Sequence, residues 1–342
     1  MLLARAQAAM GDDPHIGYSA GASRSDAARF HRIQASGNYD PQIVIRIVRL
    51  IRDLKPDIVQ TWLRQMDVAG GAAALMTKTP WVIAERSGPL AYSGSVIDRS
   101  VRMRIGRFAD AVVANSAQGA TMWAALLKAG ANSHVIPNVI EREAISSAAP
   151  LPDADLGISA KDRVVLFAGR LSEEKNVELL VAAADLICDR PDLLFFVCGD
   201  GPLRQTVQAL IASSRNRDRI RYLGFRSDLW SIMRRSSVVV SLSRFEGHPN
   251  VILEAAACGL ALVVSDIDAH RNFLDDSMAR FVDIDARACA AAVLSLMDDD
   301  VVRHSMASSA ASAAAKADPA EIASAYRTVY GEAIAHRRAG RR

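Results

Sequence analysis

From about residue 41 the chain alternates between two hydrophobic periods, and this alternation limits the possible folds more than any other feature. "PQIVIRIVRLIRDL" places apolar residues at helical spacing, and "PDIVQTW" follows as a short apolar run. "DVAGGAAALMTK" reads as helix, "WVIAE" as strand, "IDRSVRMRIGRF" as helix and "AVVANS" as strand; "AQGATMWAALLKAG" and "HVIPN" complete the series. Short apolar strands alternating with helices predict a parallel sheet covered on both faces. Residues 141–162, "EREAISSAAPLPDADLGISAKD", break the rhythm; their Ala, Ser, Pro and Asp content and lack of period mark an interdomain linker. The alternation then restarts, with "RVVLFAG", "LLFFVCG", "IRYLG", "SVVVSLS", "LALVVSD" and "ARFVDI" as strands. Two doubly wound α/β units in tandem follow, with domains expected over 1–145 and 146–320 and a helical segment with a basic tail over 321–342.

At 342 residues there is enough chain for two cores, and half apolar with 23% charged is a globular balance. A net charge of +3 gives no reason to expect nucleic acid as partner. The helical pattern "DRSVRMRIGRF" gathers Arg99, Arg102, Arg104 and Arg107, which reads either as a solvated face or as a patch for anionic lipid or a phosphorylated acceptor. Cys188, Cys198, Cys258 and Cys289 are scattered without C-x-x-C spacing, as reduced cysteines of a cytoplasmic protein would be. No run of eighteen apolar residues occurs, and "MLLARAQAAMGDD" is too short and too interrupted for a signal peptide.

In open α/β sheets ligands sit beyond the carboxyl ends of strands, at helix N-termini. Three such junctions carry candidate chemistry. In "LFAGRLSEEKNVELL", Arg170 follows Gly169 and Lys175 lies near the next helix, where a cation is disfavoured and needs a partner. Glu173 or Glu174 could pair with it; alternatively, Arg170 and Lys175 clamp an anion such as a diphosphate. "VCGDGPLRQ" is a glycine turn short of the dinucleotide fingerprint, and the absence of G-x-x-x-x-G-K-[ST] excludes a P-loop. In "SRFEGHPNVILEAAACG", Asn250 is a candidate N-cap, which puts Glu254 one turn into a helix and Glu246 in the loop before it. Glu254 could merely favour the helix dipole and Glu246 be solvated; alternatively the pair brackets the amides of His248 to Val251 at a ligand, since a carboxylate accepts two ribose hydroxyls.

"LFAGRLSEEKNVELLVAAA", "VCGDGPLR", "RYLGFRSDLW" and "SRFEGHPNVILEAAACG", with "PDIVQTW", "VVANS" and "VIPNVIE" upstream, resemble the retaining GT-B glycosyltransferases of family four (group one) from about residue 41 to 335. The resemblance implies two Rossmann-like domains facing across a cleft, with the C-terminal helix packing back on the N-terminal domain. It implies a nucleotide-diphosphate sugar as donor substrate, no further cofactor and no metal. Arg170 and Lys175 would hold the diphosphate beside Gly169, Glu254 the ribose and Glu246 the sugar hydroxyls. Leu223, Gly224 and Phe225 would line the base, and Gly247, His248, Pro249, Asn250 and Val251 would complete the donor loop. His248 could equally only shape that loop. Three D-x-D triplets, Asp153–Asp155, Asp266–Asp268 and Asp283–Asp285, lie outside this constellation.

Two departures qualify the match. Residues 1–40 contain no apolar strand followed by a Gly-rich loop, so the family's first strand, loop and helix are expected to be missing and the first sheet incomplete. Where many relatives carry a histidine after "WVIAE", this chain has Arg86, a candidate for acceptor or sugar contact. Ser116 in "ANS" would approach a phosphate or cap the following helix. The expected function is transfer of a sugar to a saccharide or polyprenyl-linked acceptor in cell-surface polysaccharide or glycolipid synthesis, at the cytoplasmic membrane face, with peripheral contact to anionic lipid. The alternatives are another GT-B reaction, such as a sucrose- or trehalose-type synthase or a nucleotide-sugar epimerase, or a non-catalytic nucleotide-sugar-binding protein.

Overall fold

The computed structural model describes residues 1–19, 26–37, 40–86, 96–315 and 318–339. They divide into two compact units: Met1–Val139 with Ala317–Arg342, and Ile140–Lys316.

The first unit contains α1 (Leu2–Ala9), β1 (His15–Tyr18), β2 (Arg29–Arg32), α2 (Gln42–Leu54), β3 (Val59–Trp62), α3 (Arg64–Thr77), β4 (Trp81–Glu85), α4 (Val96–Gly106), β5 (Ala111–Ala114), α5 (Ala117–Ala124) and β6 (Asn132–Val135). Strands β3 to β6 form one parallel sheet in chain order, while β1 and β2 form a separate parallel pair. The described part of the first forty residues, where the family's first strand, loop and helix are expected to be missing, holds α1, β1 and β2. "HIGY" and "RFHR" are four residues long and only half-buried, so neither leaves an apolar run to be noticed. Among the described residues no strand joins this pair to the four-stranded sheet.

α4 also corrects the expected basic face. Arg102 is buried, donating to Asp67 Oδ2 (2.7 Å) and Glu85 Oε2 (2.8 Å). Thr61 donates to Asp67 Oδ1 (2.6 Å) and Trp123 to Glu85 Oε2 (2.8 Å). Burial pushes the Asp67 carboxyl up to about 6, with Arg102 and Thr61 pulling the other way. The side chain of Arg99 lies outside the described residues. Arg104 and Arg107 are exposed, the latter beside Phe108, whose ring also lies 3.9 Å from Lys128 Nζ.

The second unit contains α6 (Arg142–Ser147), α7 (Asp153–Leu156), β7 (Arg163–Ala168), α8 (Val177–Ile187), β8 (Leu193–Cys198), α9 (Arg204–Ser213), β9 (Ile220–Gly224), α10 (Leu229–Arg235), β10 (Val238–Ser241), α11 (Asn250–Ala257), β11 (Ala261–Ser265), α12 (Asp268–Arg271), β12 (Ala279–Val282), α13 (Ala286–Asp298) and α14 (Asp300–Ala314). Its six strands are parallel in the order β12-β11-β10-β7-β8-β9. β7 and β8 are buried on both faces, and Phe167, Phe195 and Val197 pack with Leu180 and Ile187 of α8. The stretch read as a linker belongs to this unit. Ile145 is fully buried, Arg234 donates to the Ile145 and Ser146 carbonyls, and Arg235 pairs with Asp153. Distant arginines supply what the local pattern lacks.

α15 (Pro319–Ala339) belongs to the first unit. Its His336 and Arg337 bond Asp110, and Tyr330 accepts from Gln7 of α1. Among the described residues no helix is long and apolar enough to cross a membrane. All four cysteines are buried and free, and burial raises each thiol, Cys188 to about 12.

Candidate functional site

The site is built at the carboxyl ends of β7, β8, β9 and β10. Beyond β7 the chain keeps running beside the loop after β8: Gly169 N–H donates to the Cys198 carbonyl (3.0 Å) and Leu171 N–H to the Asp200 carbonyl (3.0 Å). A Cβ at Gly199, where φ is +138°, would stand 1.8 Å from the Gly169 carbonyl oxygen, and one at Gly201 2.4 Å from that of Leu171. The Gly-Asp-Gly-Pro turn is therefore required for backbone clearance. It fixes the main chain on either side of Arg170, whose side chain is exposed and makes no hydrogen bond or ion pair among the described residues.

Lys175 ends a one-turn 3₁₀ segment, Glu173–Lys175, followed by Asn176 at φ 54°. Its ammonium bonds neither neighbouring glutamate but Glu246 Oε1, across the sheet from the β10 junction. Ser243 Oγ donates to the same oxygen (2.7 Å). Arg244 ties the two loops, its N–H on the Glu174 carbonyl (2.9 Å) and its guanidinium on Asn176 Oδ1 (3.3 Å). Behind them Ser265 Oγ donates to the Ser243 carbonyl (2.6 Å), and buried His270 donates from Nδ1 to the Ser265 carbonyl (2.8 Å). Burial holds the His270 pKa below its ordinary value.

Asn250 is not the N-cap of α11. It is the first helical residue after Pro249, and its Oδ1 bonds His248 Nδ1 (3.1 Å). The His248 ring packs edge-on against Phe273 at 4.4 Å, so this histidine shapes the loop that also carries Gly247 and Pro249, while Val251 is the second residue of α11. Glu254 lies one turn into the helix and accepts from the Trp230 indole at Oε2 (3.1 Å). Its burial pushes the carboxyl pKa above the ordinary value, the Trp230 bond lowers it and Glu141 raises it. At the end of β9 a bulge sets Leu223 between the pairs Val197–Tyr222 and Cys198–Gly224. The Gly224 carbonyl accepts from Gly199 N–H (2.7 Å), and Phe225 is 78% exposed.

The fold thus brings Lys175 and Glu246 into contact beside Gly169, and links Gly224 to the glycine turn. Arg86 and Ser116 belong to the other unit and are engaged there. Arg86 bonds Asn138 and Tyr326 and lies 4.3 Å over the Trp62 ring, and Ser116 Oγ caps α5 by accepting from Gly119 N–H (3.2 Å). The D-x-D triplets are likewise occupied: Asp153 with Arg235, Asp266 with Arg271, and Asp285 capping α13. Among the described residues no group of three or more His, Cys, Asp or Glu is gathered as a metal site. Sequence reasoning missed Ser243, Arg244 and Trp230, which act through hydrogen bonds between distant segments and leave no local period.

Family models match both halves of the chain: Glycosyltransferase Family 4 over residues 1–144 and Glycosyl transferases group 1 over residues 152–313. The chain is a family-four glycosyltransferase homologue. Its two-unit parallel architecture is the GT-B fold, shared with Anabaena HepE solved with UDP and glucose (TM-score 0.80, 20% identity, 96% of this chain and 94% of that one). Among curated family members it is 30% identical to the Campylobacter jejuni N-acetylgalactosamine-N,N'-diacetylbacillosaminyl-diphospho-undecaprenol 4-alpha-N-acetylgalactosaminyltransferase, over 55% of this chain and 51% of that protein. It is 32% identical to the Escherichia coli UDP-Gal:alpha-D-GlcNAc-diphosphoundecaprenol alpha-1,3-galactosyltransferase, over 44% and 42%. The chain spans about half the length of these relatives.

Proposed function

We propose that this family member is a retaining, metal-independent transferase that moves a sugar from a nucleotide diphosphate to a lipid-linked or saccharide acceptor. The observation that carries this reading is the meeting of Lys175 and Glu246 at adjacent strand ends, beside an exposed Arg170 that has no partner among the described residues. Glu246 neutralises Lys175. A donor that places its diphosphate by Arg170 and Lys175 and its sugar hydroxyls by Glu246 separates the pair and gives each member a new partner. As the bond from the anomeric carbon to the phosphate oxygen breaks, the two cations stabilise the charge that develops on the diphosphate. The acceptor oxygen bonds the anomeric carbon on the same face, and its proton passes to the departing phosphate. Glu254 takes the ribose hydroxyls, and Leu223 to Phe225 face the base.

The names of the relatives above support a diphospho-undecaprenol type of acceptor; polysaccharide or glycolipid synthesis at the inner face of the membrane is part of the proposal. Exposed Arg104 and Arg107, with Lys128 over Phe108, suit peripheral contact with anionic lipid. Co-sedimentation with anionic but not neutral vesicles, lost on reversing these charges, is the expected result. The decisive test is a calorimetric screen of nucleotide-diphosphate sugars followed by product analysis with a polyprenyl-diphosphate sugar. A second reading, a nucleotide-sugar-binding protein without transfer, is favoured by the separation of the β1–β2 pair from the rest of its sheet. Donor binding without product would select it.

A further inference from the structure

Trp230 is the second residue of α10, a helix with little freedom to move. Ile232 and Met233 are fully buried, Arg234 bonds two carbonyls near α6, and Ser231 accepts from Leu151 N–H (3.1 Å). Before the helix Asp228 is held by both arms of Arg226 (2.7 and 2.6 Å). From this base the half-buried indole donates to Glu254 Oε2 at 3.1 Å. Glu254 sits on α11 between the buried residues Leu253 and Ala255, so this hydrogen bond joins α10 to α11, as does the contact of Cys258 Sγ with Met233 Sδ (3.9 Å) at the other end of α11.

We propose that Trp230 is a positioning residue for the donor nucleotide: its indole N–H fixes the Glu254 carboxylate in one orientation and in its acceptor form, ready for ribose hydroxyls. The proposal rests on the reading that Glu254 takes the ribose. The chemistry requires an acceptor there. An ionised carboxylate only accepts, whereas the protonated acid turns one oxygen into a donor. Burial works against ionisation and the charge of Glu141, on the segment leading into α6, adds to that pressure; the indole is the contact that offsets them. The sign follows. Because the folded-state pKa of Glu254 is raised, the carboxylate is lost as pH falls through that value, and removing the indole moves the loss to higher pH.

The test is calorimetric titration of UDP, and separately of GDP, into wild type, Trp230→Phe, Trp230→His and Glu254→Ala between pH 5 and 8. The expected result is that Trp230→Phe binds about tenfold more weakly near neutrality, as befits loss of a bond to a charged group. Its affinity falls off on acidification at a higher pH than that of wild type. Trp230→His, which keeps an N–H donor, recovers part of both. Weaker binding in Trp230→Phe by one factor at every pH, with no displaced fall-off, denotes a merely structural role and overturns the proposal. Unchanged affinity and pH profile overturn it while leaving the ribose reading intact, provided Glu254→Ala loses binding. If Glu254→Ala binds as wild type does, or if wild type binds neither nucleotide, the ribose reading fails and takes the proposal with it.

Discussion

The two units repeat one plan, strand then helix, yet they use their strand ends differently. In the second unit β7 is central, between β10 and β8, so the loops after β7 and β10 are neighbours, and Lys175 meets Glu246 there. In the first unit β1–β2 and β3–β6 are separate, and the charged groups at strand ends are engaged within the unit. Arg86 holds Tyr326 of α15, Glu85 and Asp67 share Arg102, and Ser116 caps α5. Strand order decides which side chains remain available to a ligand. The second unit keeps an exposed Arg170 and a half-buried Glu254, whereas the polar groups of the first hold its own segments together.

Five substitutions test this contrast. The largest effect is expected from Glu246→Ala and Lys175→Ala, each lowering turnover by about 10³-fold while the melting temperature stays near wild type, as befits charge stabilisation in the transition state. In a double-mutant cycle for nucleotide binding the two changes should be non-additive, because the pair is in direct contact. Next is Arg102→Ala in the first unit. It strands two buried carboxylates and should cost about 3–5 kcal/mol in denaturant unfolding, separating the transition of the first unit from that of the second. Asp67 gives a smaller, pH-dependent effect. Its folded pKa, about 6, lies above the unfolded value of about 3.9, so its contribution is fully present below the latter and is lost as pH rises through 6. Melting curves of Asp67→Asn compared with wild type should therefore diverge across that window. The smallest is Ser116→Ala, about 1 kcal/mol from a lost cap with donor binding unchanged.

Most strands from β3 to β12 were legible because they leave an apolar run of strand length, β6 ("NSHV") being an exception that overlaps the expected "HVIPN" by two residues; the Lys175 and Glu246 junctions were legible because a cation or carboxylate beside such a run is unusual. That they bond each other was not legible, since they lie 71 positions apart and Glu173 and Glu174 offered nearer partners. Arg102 has the same signature in a helical pattern whether it is solvated or paired inside. The segment 141–162 looked like a linker because its hydrogen-bond partners, Arg234 and Arg235, lie far along the chain. Trp230 carried no signal, since a tryptophan on a helix reads as packing until its N–H is seen on Glu254.

The most direct measurement is calorimetric binding of nucleoside diphosphates to wild type, Lys175→Ala, Glu254→Ala and Arg86→Ala under one buffer. A donor site written in the second unit predicts that the first two variants lose binding by at least about tenfold while Arg86→Ala binds as wild type does. Binding lost in Arg86→Ala and retained in Lys175→Ala and Glu254→Ala would contradict it.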